Sequence, residues 1–252
     1  MLKIPKGGNV IIVGDIHEHE EQIDKLLDEV SLSNKSILIS VGDIYDKGFG
    51  VSIAESIVDK FIYLNTKGLA YIVKGNHELK LIRTAKRSRT LTSQLEWLNK
   101  QPLSIMVEFY NRTRVVVVHG GVRPGHTFKD LNSDVKISYM RNLDKDGNFI
   151  RLDRKVSNGK LTLEDSKPGG KPWHYFYDGR FGYIASGHAS QKDGLPKFYN
   201  YSYNLDTAVY HTGILTAQIF SSNGRGDLLT FKGQAKYPDI NNLYSALYKE
   251  SI

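Results

Sequence analysis

The sequence of 252 residues predicts an α/β layered fold. Three observations predict it. Apolar runs of four to six residues recur along the chain and read as buried strands. Between the first of them lie stretches with apolar residues at helical spacing. Most of the runs stop at Gly followed by a polar residue, the punctuation of a strand that turns toward a helix.

The elements follow in order. Met1 to Gly8 leads into a strand at Val10-Ile11-Ile12-Val13, which ends in Gly14-Asp15-Ile16-His17. Ile23, Leu26, Leu27 and Val30 predict an amphipathic helix over roughly 19–30. A second strand, Ile37-Leu38-Ile39-Ser40-Val41, ends in Gly42-Asp43-Ile44-Tyr45-Asp46. Val51, Ile53, Ala54, Ile57, Val58, Phe61 and Ile62 predict the next helix. A third strand, Ala70-Tyr71-Ile72-Val73, precedes Gly75-Asn76-His77-Glu78, and Leu79 to Arg87 continues as a helix. Val115 to Val118 runs into His119-Gly120-Gly121, and Phe181 to Ser186 runs into Gly187-His188. Strand, loop, helix, strand is the βαβ pattern, which gathers function at the C-terminal ends of its strands.

The whole chain, 1–252, is expected to form one domain. Residues 126–172 are polar and turn-rich, and read as an insertion over the site at about 126–172. Within it Phe149-Ile150-Arg151-Leu152 is expected to pair with Lys160-Leu161-Thr162-Leu163. From 198 onward, Phe198-Tyr199, Tyr201 to Leu205, Ile214 to Phe220 and Leu228 to Lys232 read as antiparallel strands. A short tail follows from about 233, with Leu243 and Leu247 spaced for one short helix.

Composition is that of a soluble globular protein, with 40% hydrophobic and 24% charged residues. No apolar run is long enough to span a bilayer, and the N-terminus does not read as a signal peptide. Cysteine is absent, which fits a reducing, cytoplasmic setting. The formal charge of +7 suits an acidic substrate or nucleic acid. It equally describes a solvated basic surface, because no Lys/Arg block dominates.

Five strand ends offer two Asp, one Asn and three His as candidate metal ligands: Asp15, His17, Asp43, Asn76, His119 and His188. Taken singly each has an ordinary explanation, such as a turn Asp, an N-cap or a satisfied surface His. Jointly they point to metal. Asp15 and His17, two residues apart on an extended segment, face the same way. Asp43 lies in the middle of the set and is placed to bridge two ions. Asp46 is better placed to orient His77, giving an oriented acid. Glu78 reads as a helix first-turn residue. Mixed oxygen and nitrogen ligands suit borderline divalent ions, and a pair of them is a standard engine for phosphoryl hydrolysis. His19, His126, His174 and His211 lack a strand-end context, and His174 falls in an aromatic cluster expected to pack.

These motifs resemble those of the calcineurin-like metallophosphoesterases, in their phosphoprotein-phosphatase branch. The family patterns GDxHG, GDxVDRG, GNHE, HGG and a late GH appear here in order, over about residues 9–220. The resemblance implies a two-sheet β-sandwich flanked by helices in four layers. It implies two divalent ions, manganese first, with iron, zinc or nickel as alternatives. Asp15, His17 and Asp43 then hold one ion, and Asp43, Asn76, His119 and His188 the other. His77 with Asp46 is the implied acid pair, and a metal-bridging hydroxide the implied nucleophile. The compact size resembles bacterial and phage members.

The resulting expectation is a protein serine/threonine phosphatase-like phosphomonoesterase. The alternatives are a nucleotide or nucleic-acid phosphoesterase, such as a dinucleoside tetraphosphate hydrolase or a polynucleotide end-processing enzyme, and a catalytically weak phosphate-binding module. The partner is a phosphorylated substrate; no membrane and no obligate protein partner are implied. Two departures stand out. Lys47 replaces the family's Arg, giving a point charge in place of a bidentate fork. Glu18 replaces a Gly and is expected to crowd substrate or repel phosphate. Arg141 is the candidate for a compensating phosphate contact, and Arg180 is expected to pair with Asp178 in a turn.

Overall fold

The computed structural model describes residues 1–157 and 160–238. In its first half, strands β1 (Leu2–Ile4), β2 (Asn9–Val13), β3 (Ser36–Ser40) and β4 (Ala70–Ile72) alternate with helices α1 (Glu20–Glu29) and α2 (Val51–Thr66). Helices α3 (Asn76–Ser88) and α4 (Ser93–Asn99) follow, then β5 (Ser104–Phe109) and β6 (Arg114–Val118). The insertion holds a short helix α5 (Asp130–Ser133) and strands β7 (Asn142–Leu143), β8 (Phe149–Ile150), β9 (Leu152–Ser157), β10 (Lys160–Asp165) and β11 (Lys171–Pro172). The chain continues through β12 (Tyr183–Ser186), β13 (Lys197–Phe198), β14 (Ser202–Asn204), α6 (Val209–Thr212), β15 (Ile214–Ser221) and β16 (Gly224–Lys232).

Two sheets dominate. One has the order β16-β15-β2-β3-β4, the other β1-β5-β6-β12-β14-β13. The period-2 alternation of side chains explains how they stack. Val10, Ile12, Ile37 and Ile39 face the second sheet, where they bury against Val107, Phe109, Val115 and Val117. Their neighbours Ile11, Val13 and Leu38 point the other way, onto Ile23 and Leu26 of α1 and Ile57 and Phe61 of α2. Strands buried on both faces must be apolar at every position, which is why these runs carry no polar alternation. On the outer face of the second sheet, Val116, Val118 and Ile184 bury under Leu131, Ile137, Met140, Leu143 and Trp173. The layers are therefore helices, sheet, sheet, and a cap drawn largely from the insertion, in agreement with the expected four-layer sandwich.

Three expectations need correction, and one helix was not expected. Phe149–Ile150 pairs with Asn142–Leu143, and Lys160–Asp165 pairs with Leu152–Ser157, so the expected hairpin has the wrong partner strand. Ser202–Asn204 runs parallel to β12, although it is antiparallel to β13. The edge strand β1 pairs in parallel with β5, so the chain enters the sheet before residue 10. Helix α4, with Thr92 accepting from the Leu95 amide as its cap, went unread because it is a short helix with three apolar residues. The expected tail helix carrying Leu243 and Leu247 lies outside the described residues. Among the described residues no helix is long and apolar enough to cross a membrane.

Candidate metal centre

The C-terminal ends of β2, β3, β4, β6 and β12 converge. Asp15, His17 and Asp43 present ligand atoms that all lie within 4.8 Å of one another, and so do Asp43, His119 and His188. Asp43 belongs to both groups, as expected of a bridging carboxylate. Asn76, half-buried at the start of α3, places its Oδ1 3.0 Å from His119 Nε2. The other five are buried, at 8% exposure or less.

Glycine at the strand ends makes this packing feasible. A Cβ on Gly75 would sit 2.0 Å from Asp43 Oδ1, and one on Gly187 would sit 1.8 Å from Asp15 Oδ1. Any larger residue would displace a candidate ligand. The ligand loops are also conformationally strained. His17 (φ 44°), Glu18 (61°), Asp43 (52°), Asp46 (67°), Lys47 (65°) and His188 (67°) all adopt left-handed backbone. Such residues persist only where surroundings over-determine them, and they cluster at functional sites.

The histidines are oriented for ligation. His17 Nδ1 lies 3.0 Å from the Asp46 carbonyl and 3.2 Å from that of Tyr45, so Nδ1 donates and Nε2 is left as a lone pair. His119 Nδ1 donates to the Val41 carbonyl at 2.8 Å, leaving its Nε2 3.2 Å from Asp43 Oδ2. Burial holds His17 and His188 well below the usual histidine range, so both are neutral. Burial also works against protonation of His119, but the Asp43 and Asp15 carboxylates outweigh it and push it up to about 9. Burial tends to raise Asp43, yet His119 and His77 hold it well below the usual carboxylate range. Asp15 goes the other way, raised by burial and then by Asp206.

His77 Nδ1 meets Asp46 Oδ2 at 2.7 Å, and its Nε2 lies 3.8 Å from Asp43 Oδ2. Burial raises Asp46, but the His77 bond and charge prevail and its carboxyl is lowered. Lys47 Nζ stands 3.2 Å from His17 Nε2 and 4.9 Å from the centre of the Tyr210 ring. Arg141 Nε stands 3.1 Å from His188 Nε2. Two cationic side chains thus occupy the lone-pair side of two histidines. Three imidazole nitrogens, two carboxylates and an amide oxygen, converging where cations already gather, fit a pair of borderline divalent ions.

A family model for calcineurin-like phosphoesterases matches residues 8–211. The chain belongs to that family. It is accordingly a metal-dependent phosphoester hydrolase. Among curated proteins it is similar to the asymmetrical bis(5'-nucleosyl)-tetraphosphatases PrpE of Bacillus cereus (strain AH820) and of Bacillus anthracis (strain CDC 684 / NRRL 3495). Each is 25% identical over 240 residues, covering 82% of this chain and 88% of the relative. Among solved structures, a putative diadenosine tetraphosphatase superposes with a TM-score of 0.67 at 28% identity, covering 92% of this chain and 97% of that one. A serine/threonine phosphatase of Saccharomyces cerevisiae superposes with a TM-score of 0.61 at 15% identity, covering 93% and 84%. That second likeness shows the fold alone.

Against this family background the two departures take on definite roles. Glu18 does not face the metal ligands' open side. It is buried at 4% exposure, and its carboxylate accepts from the backbone amides of Asp46 (2.9 Å), Gly48 (3.2 Å) and Gly50 (2.8 Å). The expectation that it repels phosphate is therefore corrected: it clamps the loop after β3. Glu78 does the same from the other side, accepting from Asp43, Ile44, Tyr45 and Gly75 amides at 2.8–3.3 Å. In this calcineurin-like phosphoesterase the loop between β3 and α2 is held by two buried glutamates. Tyr210, which packs on His17 with ring centres 5.3 Å apart, carried no sequence signal, because α6 is a single turn. Asp206, buried beside Asp15, belongs to none of the strand-end motifs that drew attention in the sequence.

The remaining sequence candidates fall outside the centre. Arg180 pairs with Asp178, Nε to Oδ1 at 2.9 Å. His174 stacks on Tyr199 at 4.1 Å, donates or accepts at Ser202 Oγ, and is held down to about 3 by burial. His211 meets the Tyr237 carbonyl, and His126 meets Arg123 and Asp134. His19 adjoins the centre without joining it: its Nδ1 bonds the carbonyl of the strained His17.

Proposed function

We propose that this phosphoesterase hydrolyses nucleoside polyphosphates of the dinucleoside tetraphosphate class. The observation that carries this reading is likeness over nearly the full chain, at 28% identity, to a putative diadenosine tetraphosphatase. The order of substrates expected from the sequence is thereby reversed, and phosphoprotein becomes the second reading. In this proposal the chain is one domain throughout, with a cytoplasmic location and no obligate protein partner.

Asp15, His17 and Asp43 hold one divalent ion; Asp43, Asn76, His119 and His188 hold the other. Manganese is the first choice for both. The ions supply water activation and charge neutralisation at phosphorus. His77 is oriented by Asp46, so its Nε2 proton points toward the centre and serves the departing oxygen. Lys47, beside His17, and Arg141, beside His188, serve non-bridging phosphate oxygens. Both cations would then stabilise charge that grows on the phosphate oxygens in the transition state.

The test is a substrate panel on protein stripped with chelator and reloaded with manganese. It contains diadenosine tetraphosphate, a phosphoserine peptide, p-nitrophenyl phosphate and bis-p-nitrophenyl phosphate. The expected result is the highest kcat/KM on diadenosine tetraphosphate, with unequal products, ATP and AMP, separated by anion exchange. A phosphopeptide kcat/KM above that of the dinucleotide would overturn the reading in favour of the second.

A further inference from the structure

Helix α3 begins at the candidate metal ligand Asn76. Its buried face carries Glu78, Ile82 and Ala85. Positions 76, 80, 83 and 87 follow the spacing i, i+4, i+7, i+11, which places them on one face of an α-helix. Three of the four are cations: Lys80, Arg83 and Arg87, all exposed. The row therefore starts at the metal centre and recedes from it. At 1.5 Å rise per residue, Lys80 to Arg87 spans about 10 Å.

The row is underused within the protein. Lys80 Nζ reaches Asp46 Oδ2 at 3.7 Å, and both groups are partly exposed. Among the described residues Arg83 and Arg87 make no ion pair or hydrogen bond. Exposed arginines elsewhere vary: Arg151 pairs with Asp153 and Arg180 with Asp178, whereas Arg89 and Arg112 make no ion pair among the described residues. Tyr139 precedes Arg141 by two residues and is 36% exposed. Burial raises its hydroxyl, with Arg83 working against that and Asp43 adding to it. An open cationic row, contiguous with the centre, suits a long anion better than a compact one.

We propose that the α3 face bearing Lys80, Arg83 and Arg87 is a subsite for the phosphates lying beyond the scissile phosphorus of a polyphosphate substrate. It selects chain length: a monoester ends at the metal centre, whereas a polyphosphate continues along α3. The proposal rests on the nucleoside polyphosphate reading above, and two independent measurements separate their failures.

The variant is Arg83→Gln with Arg87→Gln, two exposed positions where Gln is a good helix former. First, kcat/KM is compared on diadenosine tetraphosphate and p-nitrophenyl phosphate. The ratio of the two should fall about tenfold, as expected when contacts to the longer substrate alone are lost. Second, inhibition of p-nitrophenyl phosphate hydrolysis by inorganic tripolyphosphate, with manganese in excess, is compared with inhibition by orthophosphate. The tripolyphosphate Ki should rise about tenfold relative to the orthophosphate Ki. Restoring Lys at both positions should recover most of each loss. If the wild type ignores the dinucleotide yet the relative tripolyphosphate Ki rises, the substrate reading fails and the subsite stands. If the dinucleotide is hydrolysed but the relative Ki is unchanged, the subsite is overturned, whatever the ratio does.

Discussion

Replacing Glu18 by Gln separates a clamp from a repeller. The carboxylate receives three amide hydrogen bonds in a buried setting. Bonds to a buried charge contribute about 1.5–3 kcal/mol each. Gln keeps one acceptor oxygen but turns an amide donor toward other donors, so at least one bond is lost and one amide is left unsatisfied. The expected destabilisation is about 3 kcal/mol. For a chain of this size that lowers Tm by about 6–12 °C. The loop it holds carries Asp46 and Lys47, both in left-handed backbone, so activity should fall as well. Urea unfolding followed by circular dichroism gives the first quantity, and steady-state kinetics gives the second. The repeller idea expects the reverse: unchanged stability and a lower KM once the negative charge is gone. Stability within about 0.5 kcal/mol of wild type, together with improved KM, would refute the clamp.

Three further outcomes follow from the centre. Asp43→Asn removes the carboxylate shared by both ligand groups, so metal content by plasma emission should drop from two ions to one or fewer, with activity lost. Wild-type occupancy would exclude a bridging role. His77→Asn should slow an alkyl phosphate by about 10²–10⁴-fold while sparing p-nitrophenyl phosphate, whose leaving group needs no proton. Equal losses on both would remove His77 from the acid role. Metal affinity should strengthen with pH: His119 in the metal-free protein titrates at about 9, so below that pH a proton must leave before Nε2 can ligate. One coupled proton gives up to about tenfold tighter binding per pH unit, read by calorimetry in buffers of differing ionisation heat. By the same linkage, the raised His119 stabilises the metal-free fold below its unfolded value near 6.5. That contribution is lost as pH rises through about 9.

Much of the architecture was legible because its strands are buried on both faces and its helices on one. The runs at Val10, Ile37 and Val115 were readable because they are short, rich in β-branched residues and bounded by Gly or polar residues. The ligand set was legible for a related reason: Gly14 and Gly42 punctuate the strands where another backbone comes close, and Gly75 and Gly187 where the carboxylates of Asp43 and Asp15 do. Pairing partners were not legible. The insertion strands are two to six residues long, too short for their apolar patterns to declare which strands pair. Glu18 was misread because sequence gives its position beside His17 but not its direction. The left-handed conformation at Glu18 turns the carboxylate toward the loop at 46–50. Lys47 and Arg141 were named as phosphate contacts, and both side chains end beside metal-ligand candidates, on His17 and His188 respectively.

The segment from Asp43 to Gly50 has no β-ladder of its own. Seven amides within it and at Gly75 are instead received by two glutamates that belong to other parts of the chain. A loop tied in this way cannot fray one residue at a time. Opening it exposes two buried carboxylates at once, and each of those also anchors the segment that carries it. In hydrogen-exchange terms the amides of Asp43, Ile44, Asp46 and Gly50 should share one protection factor with Gly75 and respond together to denaturant. The three strand-end segments then melt as one cooperative unit, so whatever loosens any one of them loosens the grip on both metal positions.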